Sequence, residues 1–295
     1  MKKILIPTMI IAAAAMIAAA LLYPKNSAYQ KAIRLQEQGE YGEAYEIFSR
    51  LGSWRDSGEQ AKALALKNPQ LPLLAAGRWD LVTLGRYEQD AEPENGSEPL
   101  EWYVLYREQN DEEGGTDLLL LSRYCIACKA YHTPVGDTTW EGSRLRAYLN
   151  DTFYQDAFDD TERSLIRPTV NENTGNELLH IDGGPDTEDR VFLLSGLEYG
   201  VYFQQEDAKW LIARAEPTPQ AVQEGIYVSG QDPKDREDLQ EDEEGYSRWW
   251  LRGPGNEAYS ALFVEEDGEI FEGGAAVDID YTYGLRPALW VHLER

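Results

Sequence analysis

With 53 acidic and 27 basic side chains in 295 residues, the chain carries a formal charge of −26, which excludes the basic face that a nucleic acid needs. A composition of 42% hydrophobic and 11% aromatic residues supplies the material of a folded core and excludes a disordered chain. Two Cys exclude a disulfide-stapled scaffold and a four-thiolate zinc site, and the three His are scattered at His132, His180 and His292.

Lys2 and Lys3 precede an uncharged stretch over 4–22 that is apolar apart from Pro7 and Thr8. Its length falls between a signal-peptide core and a spanning helix, which takes roughly 20 apolar residues. Residues 1–24 are therefore read as a signal peptide or a membrane anchor. The positive-inside bias keeps the lysines in the cytoplasm and places the body of the protein outside it. Residues 26–68 then carry helical spacing: Tyr29, Ala32, Ile33 and Leu35, an interruption at Gly39, then Tyr41, Ala44, Tyr45, Phe48 and Leu51. The run from Gly39 through Tyr41, Ala44 and Phe48 to Leu51 resembles the second half of a tetratricopeptide repeat. One such unit cannot bury its apolar face alone, so Ser57 to Lys67 is expected to add a helix through Ala61, Leu64 and Ala65. The expected role is a stem, with a docking platform as the alternative. Asn68 to Pro72 is expected to end it.

From Gly77 the pattern is that of strands: Arg78 to Arg86, Leu100 to Arg107 and Asp117 to Tyr124, joined as a meander. Trp79, Leu81 and Thr83 alternate with Asp80 and Val82, and the unbroken apolar run Leu118 to Leu121 predicts a strand covered on both faces. A helix is expected after Thr138 and Thr139, with further short pieces over Asp151 to Phe158 and Thr161 to Ile166. Val191 to Ser195 reads as a brief strand whose Ser caps a helix through Tyr202. Another short helix is expected over Lys209 to Arg214. Gln231 to Gly245 is strongly acidic and reads as an exposed loop. Strands return at Ser247 to Arg252, Ala258 to Val264, Glu269 to Phe271 and Leu285 to Leu293. Strands, then helices, then strands is an α+β order, with the opening and closing strands expected in one antiparallel sheet that includes the tryptophan-rich segment.

Thr139-Trp140-Glu141 with Ser143, Leu145-Arg146 and Leu149-Asn150, then Trp249-Trp250-Leu251-Arg252-Gly253-Pro254-Gly255, Asp267-Gly268 and Gly284-Leu285-Arg286-Pro287-Ala288-Leu289 resemble the bacterial domain of unknown function 6273 over about Gly77 to Leu293. That family is similar in turn to the C-type-lectin-like group, which includes formylglycine-generating enzymes and the variable proteins of diversity-generating retroelements. The resemblance implies a C-type-lectin-like twisted antiparallel sheet with flanking helices and long loops over 77–295, and assigns no activity.

The chemistry of those relatives is not written in these residues. Copper held by late cysteines lacks its ligands, since no Cys follows Cys128, and the scattered histidines lack iron-ligand spacing. The calcium sugar site and the EF-hand spacing are missing too. No cofactor or metal is expected. Cys125 and Cys128 follow a strand rather than open a helix, which fits a short structural disulfide or two unpaired thiols better than a redox pair. The carboxylate pairs Asp278 with Asp280 and Asp182 with Asp186 raise a glycosidase, but in so acidic a chain solvated charge is the simpler account.

What remains is an aromatic and arginine cluster. Trp249 and Trp250 point to opposite faces of an extended segment, so one belongs in the core and the other is expected at the loop-bearing surface. Trp249, Trp250, Arg252, Asn256, Tyr259 and Arg286 are the candidate ligand-binding residues. Trp140, Arg146, Gly253, Gly255, Gly284 and Pro287 are the structural ones, and no catalytic residue is nominated. The expectation is a non-enzymatic, extracytoplasmic module that binds a protein or glycan at the cell surface, attached to the membrane if its amino-terminal segment is retained. The alternative is a hydrolase or other enzyme of the same fold group with an unidentified site.

Overall fold

The computed structural model describes residues 23–110, 114–203, 212–231, 244–279 and 282–294. The expected signal or anchor, most of the acidic loop and the start of the expected 209–214 helix lie outside the described residues. The chain divides into two compact units, Met1–Ala76 and Gly77–Arg295.

In the first unit, helix α1 (23–38) is followed by α2 (Tyr41–Leu51), α3 (Ser57–Lys67) and α4 (Gln70–Ala75). The apolar stripes converge on Ala32, Ala44, Phe48, Ala61, Leu64 and Leu71. Small Ala44 permits close helix approach while Tyr29 meets Phe48 edge-on at 5.7 Å between ring centroids. Asn68 to Pro72 does not end the helical unit, because α4 starts within it. Pro72 is the third residue of that helix, where a backbone N–H has no intrahelical partner to lose.

The second unit is α+β. Strands β1 (Leu81–Tyr87), β2 (Glu98–Gln109) and β3 (Thr116–Ser122) form the meander. The final strand, β11 (Ala288–Leu293), joins them in the antiparallel order β1-β2-β3-β11. Every residue of β3 is buried, as its apolar run demands, and its Leu120 lies opposite Leu289. The phase of β1 is the reverse of a Trp79, Leu81, Thr83 core face: Val82 and Leu84 are buried and Leu81 is exposed. The ladder begins only at Leu81, after Trp79 takes a left-handed backbone (φ 73°).

The tryptophan-rich segment does not join that sheet. It forms β7 (Arg248–Pro254), inside a second sheet built with β4 (Ala127–Cys128), β8 (Ser260–Val264), β9 (Ile270–Ala276) and β10 (Tyr283–Leu285) in the order β4-β10-β7-β8-β9. β10 runs parallel to β7, pairing Gly284 with Trp249. Gly284-Leu285 therefore belongs to the second sheet and Ala288-Leu289 to the first, with Arg286-Pro287 as the corner between them. Pro287 has no N–H to donate, and its carbonyl accepts from Ser122 N at 2.9 Å.

Short helices and one small ladder, β5 (Thr169–Asn171) with β6 (Thr187–Asp189), fill the middle of the chain. The helix expected after Thr139 starts later, as α5 (Arg144–Tyr148), because Ser143 Oγ is the group that accepts from Arg146 N at 3.0 Å. After α6 (Tyr154–Ala157), α7 (Asp160–Leu165) opens on a capping box between Asp159 and Glu162. Ser195 caps α8 (Gly196–Phe203), with Glu198 returning a bond to Ser195 N at 2.7 Å. Val191 to Leu194 is no ladder strand; it touches the first sheet through a single bridge, Phe192 to Ala288.

Candidate functional site

Four of the six sequence-nominated ligand residues are interior. Trp249, Trp250 and Arg286 are 0% exposed and Arg252 is 4% exposed. β7 is covered on both faces, so neither tryptophan reaches the surface, and their indole N–H groups donate to Ala213 O at 3.1 Å and Lys129 O at 3.0 Å. Trp250 packs on Tyr283 (4.2 Å between centroids) and Tyr131 (5.8 Å). Arg252 donates to Leu193 O at 2.7 Å and pairs with Glu198. Arg286 donates to Ser122 O (2.9 Å), Ala213 O (3.1 Å) and Ile212 O (2.7 Å), with its guanidinium 4.8 Å from the Trp249 ring centre. Burial pulls the Arg286 pKa down to about 10, still far above neutrality. These side chains bond to main chain, rings and one carboxylate inside the unit, and Arg286 reaches the first sheet through Ser122 O.

Most of the residues nominated as structural sit in tight places. Trp140 Nε1 and Arg146 Nε both donate to buried Asp189, at 2.9 and 2.6 Å, and Asn171 and Thr187 donate to the same carboxylate at 3.0 and 2.8 Å. A Cβ on Gly255 would lie 2.6 Å from Gly273 O, and one on Gly284 would lie 2.6 Å from Cys125 Sγ. Gly253 has no such constraint, since a Cβ there meets nothing closer than 3.4 Å. Cys125 and Cys128 are buried and not joined by a disulfide, and burial pushes the Cys125 thiol up to about 12, so it carries no thiolate near neutral pH.

The remaining nominees, Asn256 and Tyr259, are exposed, and Tyr259 follows in the chain Ala258, which lines a pocket that sequence reasoning missed. The pocket is built by the long loop between β5 and β6. Asn173 Nδ2 donates to Pro185 O at 2.8 Å, and Asn176 and Ile181 exchange backbone bonds of 2.9 and 3.0 Å, drawing the loop into a hairpin. Gly175 packs on Ile181 O and Gly183 on Asn173 O so closely that a side chain has no room at either position. Asn176 Nδ2 reaches Gly255 O at 3.2 Å, and Thr138 N bonds Ala258 O at 3.0 Å, so the loop, the 137–142 segment and the β7–β8 turn adjoin.

Between them lies an opening of about 440 Å³ whose lining includes Asp137, Thr138, Thr139, His180, Asp182 and Ala258. Asp182 Oδ1 accepts from Gly184 N at 3.0 Å. Asp137, His180 and Asp182 are exposed to water. Two carboxylates, an imidazole and two hydroxyls can hold ligand hydroxyl or ammonium groups, but a general acid or nucleophile usually requires a drier setting than this one. The Asn, Gly and Asp residues of 171–186 were the available signal for an ordered loop. Asp186 Oδ1 accepts from Asn173 N at 3.2 Å, which makes it part of the loop's frame, and Asp280 lies outside the described residues.

Among the described residues, the carboxylates of Glu88, Asp90 and Glu98 gather within 4.8 Å. Each already accepts a bond that shapes its turn: Glu92 N to Glu88 at 3.1 Å, Asn95 Nδ2 to Asp90 at 2.8 Å and Gln89 N to Glu98 at 2.8 Å. No helix among the described residues is long and apolar enough to cross a membrane.

In comparison with known proteins, the family model described as Domain of unknown function (DUF6273) matches residues 115–293. The match leaves β1, β2 and the helical unit outside it. No curated protein and no solved structure matches the chain.

Proposed function

The chain belongs to the family of domain of unknown function 6273, and on that premise we propose that it is an extracytoplasmic binding module whose recognition site is the loop end of the second unit. The observation that carries this reading is the water-open pocket at Asp137, Thr139, His180 and Asp182, whose lining residue Ala258 is followed in the chain by the 43% exposed Tyr259. Concave openings with a few polar groups and an exposed aromatic at the rim are characteristic of recognition surfaces. Export is supported by Lys2 and Lys3 ahead of the uncharged 4–22 stretch. Kinship with the C-type-lectin-like group belongs to the same proposal, supported by an α+β unit whose first and last strands share a sheet and whose long loops adjoin.

A second reading, glycoside hydrolysis, is favoured by one observation: Asp137 and Asp182 line the same opening. Their exposure argues for binding over catalysis. A glycan array and a panel of cell-surface proteins, probed with the chain and with Tyr259→Ala and Asp182→Asn variants, test the proposal. Retention by the parent and loss in both variants is expected. Hydrolysis of an oligosaccharide panel that Asp137→Asn abolishes, with no ligand retained, would replace the binding module by an enzyme.

A further inference from the structure

The hairpin that walls the pocket ends in two leucines with no cover. Leu178 is 92% exposed and Leu179 is 53% exposed, an arrangement that leaves apolar surface in water. The tip is pinned, not loose. Its neck is closed by the Asn176–Ile181 bridge, Leu179 N donates to Asn176 Oδ1 at 3.2 Å, and the base is held to Gly255. A pinned apolar tip loses little conformational entropy on docking.

The charge around it is mainly negative. The segments that line or close the pocket, 137–143, 173–186 and 253–260, contain no Lys or Arg, and exposed Arg144 and buried Arg252 border them. Asp137, Glu177, Asp182 and Glu257 stand exposed within them. Such a field repels anionic lipid and nucleic acid and attracts cations. A neutral glycan would leave the negative charge uncompensated and the leucines uncovered.

We propose that the loop end docks an extended segment of a protein partner that carries Lys or Arg side chains together with aliphatic ones. The cations meet Asp137, Glu177 and Asp182 while the aliphatic groups cover Leu178 and Leu179. This rests on the reading that the loop end is the binding site, and it names the partner's chemistry.

Fluorescence anisotropy on the full chain tests it with three probes: a labelled peptide alternating lysine and leucine, the same peptide with glutamate for lysine, and a neutral oligosaccharide. The lysine–leucine peptide is expected to bind and the glutamate one not. Raising salt from about 50 to about 500 mM is expected to weaken binding about tenfold. Asp137→Asn with Asp182→Asn is expected to cost about tenfold and flatten the salt dependence. Leu178→Ser with Leu179→Ser is expected to cost about tenfold and leave the salt dependence in place. Glu92→Gln with Glu94→Gln removes the same charge from an exposed turn outside the loop end and is expected to change nothing. An equal loss in that control, or no loss in the loop-end variants, would overturn the docking site. Binding of the neutral oligosaccharide alone, abolished by Tyr259→Ala, would overturn the cationic partner and leave the binding module standing. Unchanged circular dichroism in each variant separates lost binding from lost folding.

Discussion

Replacing Arg286 by Met separates a ligand residue from a corner post. Met approximates the aliphatic stem and donates no hydrogen bond. The variant leaves Ser122 O, Ala213 O and Ile212 O without this donor and removes the guanidinium from Trp249. A buried acceptor stripped of its partner costs about 1–3 kcal/mol, and a desolvated cation–π contact is worth about 2 kcal/mol. Against this stands the desolvation cost of a buried charge, which the apolar replacement no longer incurs. The balance is a loss of about 3–5 kcal/mol, which for a unit of this size lowers the melting temperature by about 10 °C. Urea unfolding followed by tryptophan fluorescence reads it directly. Arg286→Lys should recover only part of the loss, since one ammonium cannot span three carbonyls. A change below about 1 kcal/mol, with ligand retention abolished, would refute the structural account and return Arg286 to the candidate site.

Other perturbations follow from the same geometry. Asp189→Asn leaves Arg146 unpaired and turns an amide toward Trp140, Thr187 and Asn171, so a loss of about 3–5 kcal/mol is expected in the same melt. Gly284→Ala drives a methyl into Cys125 and should cost about 1–3 kcal/mol; recovery of stability in a Gly284→Ala, Cys125→Gly double variant would confirm that contact. Burial raises Cys125 to about 12, and it pushes Tyr131, Tyr148 and Tyr199 upward as well. Because the folded state then holds protons that the unfolded chain releases, stability is fully present below about pH 9 and declines as pH rises above it. Urea midpoints at about pH 8 and about pH 10.5 measure this fall, and a flat profile would contradict it. Native Cys125 should also resist alkylation at about pH 8 until denaturant is added; rapid labelling of the folded chain would show an accessible thiolate.

Periodicity alone located the amino-terminal helices, the burial of β3 and the α+β order, because burying Ala44 and Phe48 or Leu118 to Leu121 depends on local spacing. The motif order from Trp140 to Leu289 identified the family. Sequence could not assign Trp249, Trp250, Arg252 and Arg286 to the interior, since a tryptophan beside an arginine has the same composition in a core as in a binding site. Assembly decided it: β7 is covered on both faces, and Arg286 turns the chain from one sheet to the other among main-chain carbonyls. The pocket was equally beyond a linear reading. It exists only where Asp137, His180 and Ala258, far apart in the chain, are brought together by the Asn176 to Gly255 and Thr138 to Ala258 hydrogen bonds. Spacing along the chain governs which faces are apolar, but the neighbours of a loop are set by contacts whose partners only the folded chain supplies.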